Sequence, residues 1–286
     1  MTQQTCRGIR SLGLVGCALA LAACGASPAR DDYDIVILND RVMDPETNFD
    51  AVRNVGIKDG RIVTITENAI RGNDTLDATG HVVAPGFIDT HTHGSDKFTI
   101  KMSMMDGVTS GMDYEAGALN TAAWYEWEAG KWPMNYGQCV PHEAARMMVH
   151  DGMDLSEPFD ATDMFDLRAQ SVEDDGVEGW SVSVSTLDQM NEITKILDEN
   201  MRQGALCVGS TVGYASAGIS TYEQFEVQRP AARYGRPIGV HARFHTSARP
   251  PIEGPLGFDE VFTNAALLKA PLLYCHDNDY GLWEIE

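Results

Sequence analysis

The sequence predicts an α/β protein: a small all-β domain followed by an incomplete TIM-like (β/α)8 barrel with about six strands present. Three observations carry this reading. Residues 33–84 keep a strand-and-turn rhythm, the chain from Pro85 onward alternates strands with helices, and histidines fall where those strands end. Strand–helix alternation favours a parallel sheet with helices on its faces. A barrel of parallel strands opens all its C-terminal strand ends on one face, where loops assemble a site.

The first residues read as a leader. Arg7 and Arg10 precede an apolar run from Leu12 to Ala23, and Cys24 follows. This is the charge order and length of a secretory signal peptide over residues 1–23. The run is too short for a permanent membrane span. Leu21-Ala22-Ala23-Cys24 resembles a bacterial lipobox, which implies lipidation at Cys24; an ordinary cleaved signal is the alternative. Residues 24–32 form a tether. Gly25, rather than aspartate, follows the cysteine, and by resemblance to bacterial lipoproteins this implies an exported protein on the periplasmic side, anchored at the outer membrane.

Loss of Arg7 and Arg10 from 21 basic residues leaves 19 against 42 acidic ones, a charge of −23. Such a surface repels nucleic acid and gains nothing from anionic lipid, so membrane contact is expected only through the anchor. Cys6 and Cys17 leave with the leader. Cys139, Cys207 and Cys275 each lie in an apolar strand-like stretch. Their odd number and wide spacing argue against a disulfide framework, and they are expected as buried packing thiols.

Within residues 33–84, Ile35 to Leu38 forms a short strand and Asp44-Pro45 a turn. Val55 to Lys58 and Arg61 to Ile65 flank Asp59-Gly60, a strong hairpin signal. His81 to Ala84 is a further strand. From Pro85, strands are expected at Phe87–His91, Val108–Asp113, Met134–Val140, Ala205–Gly209, Pro237–His241 and Pro271–His276. Thr186 and Gln189 form a capping box for a helix that buries Met190, Ile193, Ile196, Leu197 and Met201 and ends at Gly204. Ser220 and Glu223 form a second capping box, and Phe258–Leu268 is the last helix. Residues 151–179 hold ten acids and one base, Arg168. Their carboxylates lack calcium-loop spacing, so the segment reads as a solvated insertion or lid.

The chemistry concentrates at strand ends. In Pro85-Gly86-Phe87-Ile88-Asp89-Thr90-His91-Thr92-His93, a strand runs into two histidines one residue apart. Alternate residues of an extended chain share a face, so His91 and His93 project together and can hold a divalent metal such as zinc. Glu115 follows the second strand, and His241 and His276 end the fifth and sixth. These five are the candidate metal ligands, with Asp113 as the alternative to Glu115. Trp124, Tyr125, Trp127 and Trp132 are expected to pack a helix.

Residues 85–93 resemble the amidohydrolase superfamily signature, and the order of later motifs is similar to the N-acyl-D-amino-acid deacylase (D-aminoacylase) branch. Gly107-Val108-Thr109-Ser110, His142-Glu143-Ala144-Ala145-Arg146, Gly204 through Tyr214, Val240-His241-Ala242-Arg243 and Tyr274-Cys275-His276 carry that resemblance. It implies a hydrolase of non-peptide C–N bonds that activates water on one or two zinc ions and acts on a small N-acylated amino acid. His142, Arg146, Tyr214 and Arg243 become candidate substrate contacts; structural hydrogen bonding is the competing role for each. Three departures stand out. Asp113 and Glu115 occupy the place of the branch's cysteine ligand. Asn278 replaces a lysine associated with the substrate carboxylate. Only 202 residues run from Pro85 to Glu286, whereas a complete barrel takes about 250. The chain is therefore expected to be a fragment of a longer enzyme, lacking the eighth-strand aspartate that moves the proton, and inactive alone. A hydantoinase-like or dihydroorotase-like cyclic-amide hydrolase and a noncatalytic metal-binding lipoprotein are the competing readings.

Overall fold

A computed structural model describes residues 32–159, 161–171, 176–244 and 253–276. The expected leader over residues 1–23, Cys24 and Asn278 lie outside the described residues. The chain divides into two compact units, one ending at Pro85 and the other beginning at Gly86.

The first unit is a single sheet. Strands β1 (Tyr33–Asp44), β2 (Phe49–Lys58), β3 (Arg61–Thr66) and β4 (Gly72–Asp77) lie in the order β3-β2-β1-β4, and β5 (Val82–Val83) pairs with β1. Asp59 and Gly60 both take positive φ, the geometry that lets a two-residue turn follow the twist of the β2–β3 hairpin. The first strand runs on to Asp44, past a register shift between Ile37 and Asp40. β4 has no apolar alternation and is held by parallel pairing with β1.

The second unit carries the parallel strands. In chain order its elements are β6 (Phe87–Asp89), α1 (Lys97–Met105), β7 (Val108–Asp113), α2 (Thr121–Glu128), β8 (Asn135–Gln138), β9 (Val140–Pro141), α3 (His142–His150), α4 (Met164–Gln170), α5 (Gly179–Val182), α6 (Leu187–Gln203), β10 (Val208–Ser210), α7 (Thr221–Arg233), β11 (Ile238–His241), α8 (Glu253–Leu268) and β12 (Leu272–Cys275). β6, β7 and β8 pair in parallel, as do β9 through β12. The expected third strand is thus shared: β8 serves one sheet, β9 the other, and only Cys139 stands between them. The result is a partial barrel of six successive strand positions.

Val140, Val208, Ile238 and Val240 form the buried, helix-facing rows of the sheet, clustered with Ile193, Leu197 and Met201 of α6 and Val227 of α7. Full burial of each such side chain contributes about 1.5–3 kcal/mol. Both hydrogen bonds of the Thr186–Gln189 capping box are present, and Gly204 closes α6 at φ 117°. The second box forms only half. Ser220 caps the Glu223 amide, but the Glu223 side chain is fully buried and turned to His142 and Arg146 instead.

Two further expectations are corrected. Cys139 and Cys207 are joined as a disulfide, with Cα atoms 4.4 Å apart, because β9 and β10 are neighbours; Cys275 remains a free buried thiol. Residues 151–179 are not merely a solvated face. Leu155, Phe159 and Met164 enter the hydrophobic core, while Asp154, Glu157, Asp163, Asp166 and Glu178 are exposed.

Candidate metal centre

Glu115 gathers the strand ends. β6 stops at Asp89, yet the chain stays laced to β7 through Thr92 N to Met112 O and Tyr114 N to Thr90 O. That lacing holds His91 and His93 beside the turn that follows β7. Glu115 Oε2 lies 2.6 Å from His91 Nε2 and 2.8 Å from His276 Nε2. Glu115 Oε1 lies 2.8 Å from His241 Nδ1. His93 Nε2 is 3.9 Å from the same carboxylate. The five predicted ligands therefore meet at one place, drawn from the ends of four strands.

Asp113 supports the cluster from behind. Its Oδ2 is 2.7 Å from His93 Nδ1, which turns Nε2 of that ring toward Glu115. Its Oδ1 accepts the backbone N–H groups of Glu115 and Ala116. One carboxylate thus orients a ligand and fixes the turn that delivers another, a supporting role common around metal-binding histidines.

Glycine makes room for that turn. A Cβ on Gly239 would stand 1.5 Å from the Tyr114 carbonyl oxygen, and one on Gly209 would stand 2.1 Å from that of Glu115. The chain behind Glu115 can lie across β10 and β11 only because neither strand carries a side chain there. Sequence reasoning missed these two residues; a glycine inside a strand is the signal that could have found them. At the far end, His276 takes φ 64°, a left-handed conformation in which a non-glycine residue is uncommon and often functional.

The cluster keeps its central carboxylate ionised. Burial raises the Glu115 carboxyl, but hydrogen bonds and charge from His241 and His91 outweigh it and hold the group well below the usual carboxylate range. His93 is raised, chiefly by its hydrogen bond to Asp113. Two triads, His91–His93–Glu115 and Glu115–His241–His276, each keep their ligand atoms within 4.8 Å of one another. Imidazole nitrogens with a shared carboxylate suit zinc, and the sharing gives room for one ion or an adjacent pair.

A cavity of about 310 Å³ opens over the cluster, lined by His93, Glu115, Arg168, Thr211, Tyr214 and His276 among others. Tyr214 reaches it, its ring 4.3 Å from that of His241. The other three candidate substrate contacts do not. His142 and Arg146 are fully buried, tied to Glu223, with His142 also on Ser210 and Arg146 on Ser185. Arg243 spends its guanidinium on Glu260 and the Ser216 carbonyl. These are structural hydrogen bonds, the competing role for each. Trp124 is buried against Tyr125 and Tyr136, and Trp132 stacks on Tyr136, so these three of the four aromatics pack as expected, whereas Trp127 is exposed beneath Lys131. Sequence reasoning also missed Arg168 as a wall residue, since its acidic surroundings pointed to solvent.

No protein-family profile matches the chain. Among curated proteins, dihydroorotase of Streptococcus pneumoniae serotype 4 is 41% identical over 90 residues, 31% of this chain and 19% of that protein. Dihydroorotase of Solibacter usitatus is 52% identical over 60 residues, 21% of this chain and 14% of that protein. Among solved structures, D-aminoacylase superposes with TM-score 0.64 at 20% identity, covering 85% of this chain and 51% of that one. N-acyl-D-glutamate deacylase from Bordetella bronchiseptica, complexed with zinc and a phosphonate inhibitor, gives TM-score 0.63 at 19% identity over 84% and 50%. L-hydantoinase from Arthrobacter aurescens gives 0.53 at 15% identity over 85% and 52%. The chain spans about half the length of these solved relatives and a smaller share of the curated ones. The likeness is one of fold: this chain shares with D-aminoacylase and N-acyl-D-glutamate deacylase a parallel-strand barrel, present here in part.

Proposed function

We propose that this chain forms the metal-binding part of a hydrolase that cleaves a non-peptide C–N bond in a small N-acylated amino acid, in the manner of a D-aminoacylase. The observation that carries the reading is the Glu115 carboxylate set among His91, His93, His241 and His276. A zinc ion held there would polarise the scissile carbonyl and bring the pKa of a bound water toward neutrality. Asp113 keeps the His93 ring turned inward, and Glu115 ties both histidine pairs to one centre. Tyr214 closes one side of the cavity and limits how an acyl group enters.

Zinc analysis of the purified protein tests the centre: the wild type should bind one or two ions, and a His91→Ala, His93→Ala variant should bind none. Assay of the complete gene product on N-acetyl-D-amino acids beside hydantoins and dihydroorotate tests the substrate class. The cyclic-amide reading has its own support in the local sequence likeness to dihydroorotase and the fold likeness to hydantoinases. Turnover of only the cyclic compounds would select it. Export and lipidation at Cys24 belong to the same proposal, supported by Arg7, Arg10 and the apolar run before the cysteine. Palmitate labelling that persists in a Cys24→Ser variant would remove the anchor from it.

A further inference from the structure

One guanidinium stands in the cavity wall, and it comes from the acidic segment between β9 and β10. Arg168 is the single base among residues 151–179. Helix α4 carries it inward until only 19% of its side chain is exposed. Its Nε and Nη2 meet the two oxygens of Glu143, and Thr211 donates its hydroxyl to the same carboxylate. The guanidinium lies 4.4 Å from the Tyr214 ring centroid, 5.3 Å from that of Phe165 and 5.5 Å from that of Trp180. A long side chain is thereby held in one place before any ligand arrives, which lowers the ordering cost of binding.

The remaining chemistry of the wall points to the ligand. Of the five guanidinium N–H groups, Glu143 takes two, leaving Nη1 and one N–H of Nη2. Thr211 already donates to Glu143, and Glu115 is already engaged by the His91, His241 and His276 rings. Beyond the metal cluster the wall offers a ligand one group that can only donate, the Arg168 guanidinium, with the Tyr214 and Thr162 hydroxyls and apolar Ala116, Ala161, Met164 and Phe165 beside it. A planar guanidinium edge matches a carboxylate, and charge-assisted bonds of this type are among the stronger ones. A pairing that served only to fasten α4 to α3 would not need to sit in the cavity wall.

We infer that Arg168 is the specificity residue for a free carboxylate on the substrate, gripping it while the scissile amide lies at the Glu115–imidazole cluster. This deepens, and rests on, the hydrolase reading above. It places substrate selection in the insertion and uses no residue beyond the described chain.

The test is equilibrium binding of N-acetyl-D-methionine and of its carboxamide to the zinc-loaded full chain, by calorimetry. The wild type should prefer the carboxylate at least tenfold. Arg168→Gln should bring the two ligands within twofold, with carboxamide affinity and zinc content unchanged. Arg168→Lys should keep part of the preference. Since Arg168→Gln strands Glu143 in the interior, an Arg168→Gln, Glu143→Gln variant is run beside it and should behave alike. Equal binding of both ligands by the wild type, or a preference that survives both glutamine variants, overturns the assignment. Zinc stoichiometry on every sample separates the two levels: zinc bound without a carboxylate preference sinks this inference alone, whereas no zinc uptake sinks the hydrolase reading beneath it.

Discussion

Glu115 Oε2 and His276 Nε2 stand 2.8 Å apart across 161 residues of sequence. The same oxygen is 2.6 Å from His91, so the first and sixth strand positions meet on one atom. Geometry of this kind ties several measurable properties to single side chains.

The first concerns Asp113. It holds His93 by one oxygen and the Glu115 turn by the other. Asp113→Ala should weaken zinc binding by about 10–100-fold, the usual cost of losing an outer-shell partner. Competition with a chelator of known affinity reads the change. An unaltered affinity would mean that His93 needs no orienting group.

The second concerns glycine. Gly239→Ala places a methyl carbon against the Tyr114 carbonyl, which is backbone and has little freedom to yield. Overpacking of this type costs about 1–3 kcal/mol. Thermal unfolding should show a lowered midpoint and the refolded protein a reduced zinc content. Gly235→Ala is the control for the glycine count, since no atom lies near its Cβ position, although its φ of 63° carries a smaller backbone cost.

The third concerns pH. Burial, and then the nearby Arg146 charge, pushes His150 down to about 4 from its ordinary 6.5. The unfolded chain therefore binds the proton that the folded one refuses between those values. Stability from this residue is present above pH 6.5 and is lost as pH falls toward 4. Urea midpoints from pH 7 to 4.5 should decline, and His150→Gln should flatten the slope. A slope identical in the variant would assign the decline to other groups.

The fourth concerns the cysteines. Peptide mapping of the oxidised protein should recover Cys139 linked to Cys207, with Cys275 as a free thiol. The bond closes a loop of 68 residues, and chain-entropy arguments place its contribution at about 4 kcal/mol. Reduction should lower the denaturant midpoint accordingly.

Much of the site was legible because period and position are local signals. His91 and His93 declare themselves by alternation, and His241 and His276 by ending apolar runs. Glu115 followed from its place after the second strand. What escaped depended on tertiary partners. Glu223 has the spacing of a capping residue, yet Arg146 and His142 claim its carboxylate. Cys139 and Cys207 show no tight spacing because strand adjacency, not sequence distance, brings them together. β4 carries a single large apolar side chain, Leu76, and becomes a strand through its pairing with β1. Arg168 was hidden by its own neighbours: ten acids suggested water, while the apolar residues among them draw the segment onto the core.

A single carboxylate answering to imidazoles from both extremities of the strand series has a mechanical meaning. An ion seated there would work as a clasp, and flattening of the sheet would have to pull it open. Curvature and ion uptake would then share one free energy, so chelation should loosen hydrogen-exchange protection in β6 and β12 before it does so in β10.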